Sequence, residues 1–371
     1  MTSAACISPG RTWTSTVPPL LGMTSTRPDP MKRRHVAMTP VPSRPALTTV
    51  MYHYVRPVAA SAFPRLPALE LADFLGQLDH LQAHYTLLSP HSFLQALEAG
   101  DPLPPRACLL TFDDGYSDHY RHVFPHLVDR GLAGLFFAPK SSLIDRQLLE
   151  VNQIQFTLAN HPQPKALSDE VDALLRRDWA TDPVPLRAAH FAPNRFDGPE
   201  IAYVKRLLQH ALPAQIRSQL AAQLFARHVT NDPQAFAEDL YLTPAQAQEM
   251  LAAGMGFGGH GDRHLWHGLA SPDDLAAEVA GSVAALAAIG VQPDGACYCY
   301  PFGSQTEAVR SSVAAAGFRA GFTVVPELWT PGSDPFQIAR LDTNDLPHRP
   351  TAQNHWLMQA LEGQSLTGAG G

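Results

Sequence analysis

The chain is 371 residues long, enough for one large α/β domain or two smaller ones with a full core. Its formal charge of -7 comes from 34 acidic and 27 basic residues with no lysine or arginine stripe, which argues against nucleic acid or an anionic membrane as partner. The hydrophobic share of 45% and mean hydropathy of -0.11 fit an ordinary globular protein, and no apolar run of about 18 residues is present to form a transmembrane segment.

Residues 1–45 are rich in Pro, Ser, Thr and Arg and follow neither a period of 2 nor of 3.6, so a disordered N-terminal segment is expected there. Order begins with "ALTTVMYHYV", a β-branched run of the kind found in buried strands. Next, Leu71, Phe74, Leu75, Leu78 and Leu81 recur at helical spacing, and "YTLLS" reads as a short strand. "SPHSFLQALEAG" predicts a helix with Ser89 as N-cap, Pro90 at its first position and Gly100 at its stop. "ACLLTF" is a strand, "DHYRHVFPHLVDRG" a helix and "LAGLFFAP" another strand. Strand and helix alternating at this pace predict a parallel α/β sheet, either a barrel or a doubly wound sheet.

From about 145 to 253 strands vanish and helical segments such as "EIAYVKRLLQHAL" take over, which reads as a helical insertion over the α/β core. The core resumes at "GMGFGGHGDRH". A helix follows with Ser271 as N-cap, Asp274 as reciprocal capping acid and Gly290 past its end. "GACYCYPFG" is a strand entering a loop, followed by a helix in "TEAVRSSVAAAGF" and a strand in "RAGFTVV". The core is expected to run over 46–350, with a C-terminal helix and flexible tail over 351–371.

Chemistry concentrates where strands run into loops: Asp113-Asp114-Gly115, "GGHGDRH" with His260 and His264, and "CYPFG" with Tyr300 to Gly303. In parallel α/β folds the carboxyl ends of strands share one face, so the three loops can form one pocket. Alone, Asp-Gly reads as a turn, and among 17 histidines an H-x-x-x-H spacing arises easily by chance. Together, one carboxylate and two neutral imidazoles make a common ligand set for a catalytic divalent ion. The second carboxylate, diverging from the first on extended backbone, is then available as a general base.

These residues resemble a known family. "TFDDGY", "HGDRH" and "YPFG" are similar to the polysaccharide deacetylases of carbohydrate esterase family four, the NodB-homology domain. "VMYHYVRP" and "ARLDTNDLP" further resemble members found in bacterial surface-polysaccharide gene clusters. The resemblance spans roughly residues 46–347. It implies a distorted (β/α) barrel of seven or eight strands and hydrolysis of acetyl groups on sugars. Carried over, Asp113 is the base, Asp114, His260 and His264 hold a divalent metal, taken as zinc, and Phe302 offers a backbone N–H to the oxyanion. Where many members carry an arginine tethering the base, this chain has Cys299 and Tyr300, and Arg340 can substitute from another strand. With no late Leu-x-His segment, His53 is the replacement for the general acid, with His348 second. Tyr300, Phe302, Arg340 and Asp342 make up the oxyanion and substrate side; Asp342 and Asp345 either line the cleft or cap a turn.

Cys297 and Cys299 read as packed thiols, and Trp266 and Trp329 as packing aromatics that could alternatively stack on a sugar. Four cysteines without a disulfide-like pattern fit a reducing, cytoplasmic setting. The expected function is a metal-dependent deacetylase acting on an N-acetylated sugar or glycan. The rivals are an amidohydrolase on a non-sugar amide and a catalytically weak sugar-binding homologue. Composition and spacing leave the oligomeric state open.

Overall fold

The β-branched run at the start of the core becomes the first of eight strands in one parallel sheet: β1 Thr48–Tyr52, β2 Thr86–Leu87, β3 Ala107–Phe112, β4 Leu135–Ala138, β5 Gly256–Gly259, β6 Tyr298–Cys299, β7 Gly321–Phe322 and β8 Leu341–Asp342. The strands lie in the order β8-β1-β3-β4-β5-β6-β7, with β2 beside the amino end of β3. This is a computed structural model describing residues 46–349, 352 and 354–356. All of these belong to the compact unit Pro42–Gly371; the unit Met1–Val41 and most of 351–371, for which a disordered segment and a helix with a tail are expected, lie outside the described residues.

The sheet curls, and the segment ending in β8 closes it. Ile338 pairs with Phe322 of β7 and, three residues on, Leu341 pairs with Val50 of β1. Helices α1 Leu71–His84, α2 Pro90–Ala99, α3 Phe124–Asp129, the short α4 Lys140–Leu143, α12 Pro272–Ala288 and α13 Glu307–Ala315 connect the strands as crossovers. The expected α/β barrel is therefore what the chain forms, with a seam at its closing segment.

Strand alternation sorts side chains between two cores. Outward positions Tyr52, Phe112, Phe136 and Phe257 stack across neighbouring strands at 5.0, 4.7 and 5.6 Å beneath the helices. Inward positions Leu109, Leu135, Phe137, Cys297, Cys299 and Phe322 fill the barrel, with Phe93 of α2 in the same cluster. The parity continues past the strand ends. Asp113 follows Leu109 and Thr111 inward, and Tyr300 follows Tyr298 outward.

Between β4 and β5 lie seven further helices: α5 Glu150–Asn160, α6 Pro164–Trp179, α7 Pro183–His190, α8 Pro199–Arg206, α9 Ala214–His228, α10 Pro233–Leu240 and α11 Pro244–Ala252. They bury a core of their own around Ile154, Leu167, Leu175, Tyr203, Leu208 and Leu224. A separate cluster joins them to the barrel, in which Phe156, Phe225 and Tyr241 meet Tyr54 and Tyr116.

Local signals mostly act as read. Ser89 Oγ accepts from Ser92 N at 3.0 Å, and Gly100 ends α2 at φ 69°. Two details differ. Asp274 does not reach back to the N-cap amide; its carboxylate takes the Ser271 hydroxyl at 2.7 Å, because aspartate is one methylene shorter than the glutamate of a full capping box. The helix expected over 118–131 starts as one wide turn, His119–Val123, and becomes α-helical only at Phe124, where Pro125 can supply no amide hydrogen.

Candidate active site

Asp113 and Asp114 leave β3 in opposite directions. Asp113 points into the barrel and is 2% exposed. There Arg340, itself 1% exposed, meets it with two parallel hydrogen bonds: Nη1 to Oδ1 and Nη2 to Oδ2, each 2.8 Å. The guanidinium is fixed in turn by Nε donating to Thr323 O at 2.8 Å and by Nη1 reaching Thr111 Oγ1 at 3.2 Å. Burial pushes the Asp113 carboxyl up, but the Arg340 charge and hydrogen bonds outweigh it and hold it at about 2. Cys299 is the packed thiol expected, and it packs against this pair. Its Sγ lies 3.1 Å from Arg340 Nη2 and 3.5 Å from Asp113 Oδ2, where alternation along β6 turns it inward.

Asp114 takes a left-handed backbone, φ 72°, which swings its carboxylate towards the His260 loop. Its Oδ1 lies 3.3 Å from His260 Nε2 and 3.2 Å from His264 Nε2, and it makes no hydrogen bond although it is sealed from solvent. His260 Nδ1 donates to Cys299 O at 2.8 Å, which leaves the Nε2 lone pair facing Asp114. A buried carboxylate oxygen without a partner, facing two imidazole nitrogens, is the donor set a divalent cation satisfies. The residues fit a metal.

Two other clusters of potential ligands among the described residues do not match this pattern. Asp113, His260 and Cys299 converge, but Arg340 already occupies both Asp113 oxygens. In the insertion, His228 Nε2 donates to Glu170 at 2.7 Å and Arg227 pairs with the other Glu170 oxygen, so protein hydrogen bonds satisfy that carboxylate.

Several supports were not visible in the motifs. Tyr116 donates to Asp114 Oδ2 at 2.6 Å, and Asn152 of α5 donates to the phenol oxygens of Tyr116 and Tyr54 at 2.7 and 2.6 Å. Tyr241 donates to the Asn152 carbonyl, and Tyr54 donates to Gln155 at 2.6 Å. The loop carrying both histidines is pinned by Glu278 of α12, which is fully buried. It accepts from the amides of Arg263, Asp262 and Leu265 at 3.0, 3.1 and 3.3 Å. His264 and Phe302 also sit at positive φ, 61° and 57°, so three strained non-glycine residues cluster here.

Of the remaining expected residues, His53 continues the inward parity of β1, with Nε2 3.8 Å from Asp113 Oδ2 and the side chain 40% exposed. Its carbonyl accepts from the buried His119 at 2.8 Å. His348 pairs instead with Asp73 at 3.1 Å. Phe302 stacks on Trp266 at 4.6 Å and 13° and meets the His264 ring edgewise at 4.6 Å. Asp342 does both things expected of it, accepting from Asn344 N at 2.8 Å and lining a cavity with His53. Asp345 pairs with Arg195.

Tyr300 is corrected. Its phenol points out of the barrel into the outer core and donates to Phe336 O at 3.1 Å, so the side chain does not reach substrate. Trp329 is likewise structural. It pairs with Leu47 across the backbone and donates its indole N–H to Asp334 O at 3.2 Å.

Residues 197–321 match the model of the family described as polysaccharide deacetylase. No curated protein matched the chain in sequence. Among solved structures, the chain is similar to the Streptococcus pyogenes deacetylase PplD (16% identity, TM-score 0.48, covering 85% of this chain and 97% of that one). It is similar also to a de-N-acetylase from Aggregatibacter actinomycetemcomitans (14%, 0.49, 85% and 99%). A third similar structure is IcaB from Ammonifex degensii (20%, 0.48, 86% and 97%).

Proposed function

We propose that this chain, whose residues 197–321 match the polysaccharide deacetylase family, is a member of that family and a metal-dependent hydrolase removing the acetyl group from an N-acetylated sugar or glycan. The observation that carries this reading is the split of the aspartate pair. Asp114 faces two imidazoles with an unpartnered oxygen, and Asp113 is clamped as a carboxylate by Arg340.

Asp114, His260 and His264 would hold the ion, and their two nitrogens and one oxygen suit zinc. A divalent ion bound there supplies positive charge to the acetyl carbonyl and makes water acidic enough to react near neutrality. Asp113 takes the proton from the attacking water, and Arg340 fixes the direction of its lone pairs. Water oxygen adds to the carbonyl carbon, the backbone N–H of Phe302 meets the developing oxyanion, and one such donor is worth about 3 to 4 kcal/mol of barrier. His53, beside Asp113 and open to the cavity, gives its proton to the nitrogen as the carbon–nitrogen bond breaks. Acetate and a free amine leave. Among the described residues the thiols of Cys108, Cys297 and Cys299 are buried and free, which supports a reducing, cytoplasmic setting, and no helix there is long and apolar enough to cross a membrane.

The test couples elemental analysis of the purified chain to acetate release from a panel of acetylated sugars and small cyclic imides. One divalent ion per chain with release from sugars is expected; release from the imides alone would move the reading to a non-sugar amidohydrolase.

A further inference from the structure

The aspartate pair is flanked by two cavities of very different size. On one side a space of about 180 Å³ is lined by His53, Tyr54, Gln155, Asp342, Thr343 and Asn344. On the other only about 30 Å³ remains, between Leu208, Gln209, Arg263, His264, Trp266 and Phe302. The helical insertion makes this asymmetry. Gln155 of α5 walls the larger space, while Leu208 and Gln209 crowd the smaller one. His210 stands edgewise 5.1 Å from Trp266, which itself stacks on Phe302.

A sugar inside a polymer must pass its neighbours out on both sides of the reacting unit. Here one side is filled by packed rings, and the other is below the roughly 300 Å³ at which drug-sized ligands begin to fit. That leaves room for about one pyranose ring. The lining of the larger space is also informative. It offers Gln, Asn, Thr and Tyr for hydroxyl groups and Asp342 as its carboxylate, and no lysine or arginine. A phosphate or carboxylate on a sugar seated in this space would meet Asp342, with only the His53 proton, which the reaction consumes, to offset it.

We propose that the substrate is an uncharged N-acetylhexosamine presented singly or as the end unit of a chain, not an internal unit of a polymer. The proposal rests on the deacetylase reading and narrows it. The test gives the full chain, loaded with zinc, N-acetylglucosamine and N-acetylgalactosamine as methyl glycosides, as oligomers up to the hexamer and as nucleoside-diphosphate sugars. Acetate release is followed, and mass spectrometry locates the freed amine. Expected are similar rates for monosaccharide and oligomer, a free amine at an end unit only, and at least tenfold slower release from the nucleotide sugars. Freed amines at internal units, or rates climbing tenfold or more with oligomer length, overturn the proposal while leaving the deacetylase reading intact. Preference for the nucleotide sugars overturns the uncharged substrate. No acetate from any of them overturns the deacetylase reading, and this proposal with it.

Discussion

Asp113 and Arg340 show how much one pairing sets at the level of single residues. Both are buried, so each is costly without the other; removing the arginine leaves an unpaired carboxylate, a loss of roughly 3–5 kcal/mol. Arg340→Met is therefore expected to lower the unfolding free energy by that order in denaturant titration. Arg340→Lys keeps the charge but offers no planar fork. It should fold, keep its metal by elemental analysis and lose about 10²-fold in kcat, the scale of an ångström-sized misplacement of a reacting group. The neighbouring acids should separate cleanly. Asp114→Ala is expected to lose metal, whereas Asp113→Asn keeps the metal and loses turnover; the opposite pattern would reverse the two assignments. His53→Ala should keep fold and metal, cost about 10²-fold in kcat and abolish the alkaline limb of the pH–rate profile. An unchanged limb would assign the proton to solvent or another group.

Among elements, the loop 260–265 owes its shape to α12. Glu278→Ala removes the acceptor for three backbone amides, at about 1–3 kcal/mol for each donor left unsatisfied. A lower melting temperature together with weaker metal binding is expected, and unaltered metal affinity would free the histidines from dependence on that helix. His267, on the same stretch, gives a pH signature. Its Nδ1 donates to Leu265 O and its Nε2 accepts from Tyr298, and burial, reinforced by the nearby histidines, holds the imidazole down at about 3 from an ordinary 6.5. The unfolded chain therefore takes up a proton below pH 6.5 that the folded one refuses until about 3. Its contribution to stability is complete above that window and falls with decreasing pH, by up to about 1.4 kcal/mol per pH unit. His267→Gln should flatten the decline in unfolding free energy through the window. At this scale much was legible. "ACLLTF" is β3 to the residue, and the caps of α2 and α12 follow from Ser, Pro and Gly placed where a helix needs them. The candidate ligand cluster of Asp114, His260 and His264 was legible because H-x-x-x-H sets two imidazoles close together and both motifs stand at strand ends that share one face. Tyr116, Asn152 and Glu278 were not, since each acts on a partner brought near only by folding, and no spacing encodes that. Tyr300 misled for a related reason: a loop motif says which residues stand together, while strand parity decides which way each faces.

At the scale of the whole molecule, the seven inserted helices are tied to the catalytic end of the barrel through polar bonds as well as apolar packing. The hydrogen bonds run from Asp114 through Tyr116 to Asn152, and from there to Tyr54 and Gln155. Asn152→Leu keeps the volume but strands two phenols and the Asp114 contact behind them. It is expected to weaken metal binding about tenfold by competition with a chelator while leaving the barrel folded; unchanged binding would make the insertion only a wall. The closing segment has a further consequence. Arg340 lies between Ile338, which pairs with β7, and Leu341, which pairs with β1, so the segment that shuts the barrel also delivers the counterion of Asp113. During synthesis on the ribosome the two aspartates emerge more than two hundred residues before their arginine. Until that closing segment docks, the Asp113 carboxylate has no clamp to direct its lone pairs. The pairing that orients this carboxylate is thus a product of ring closure.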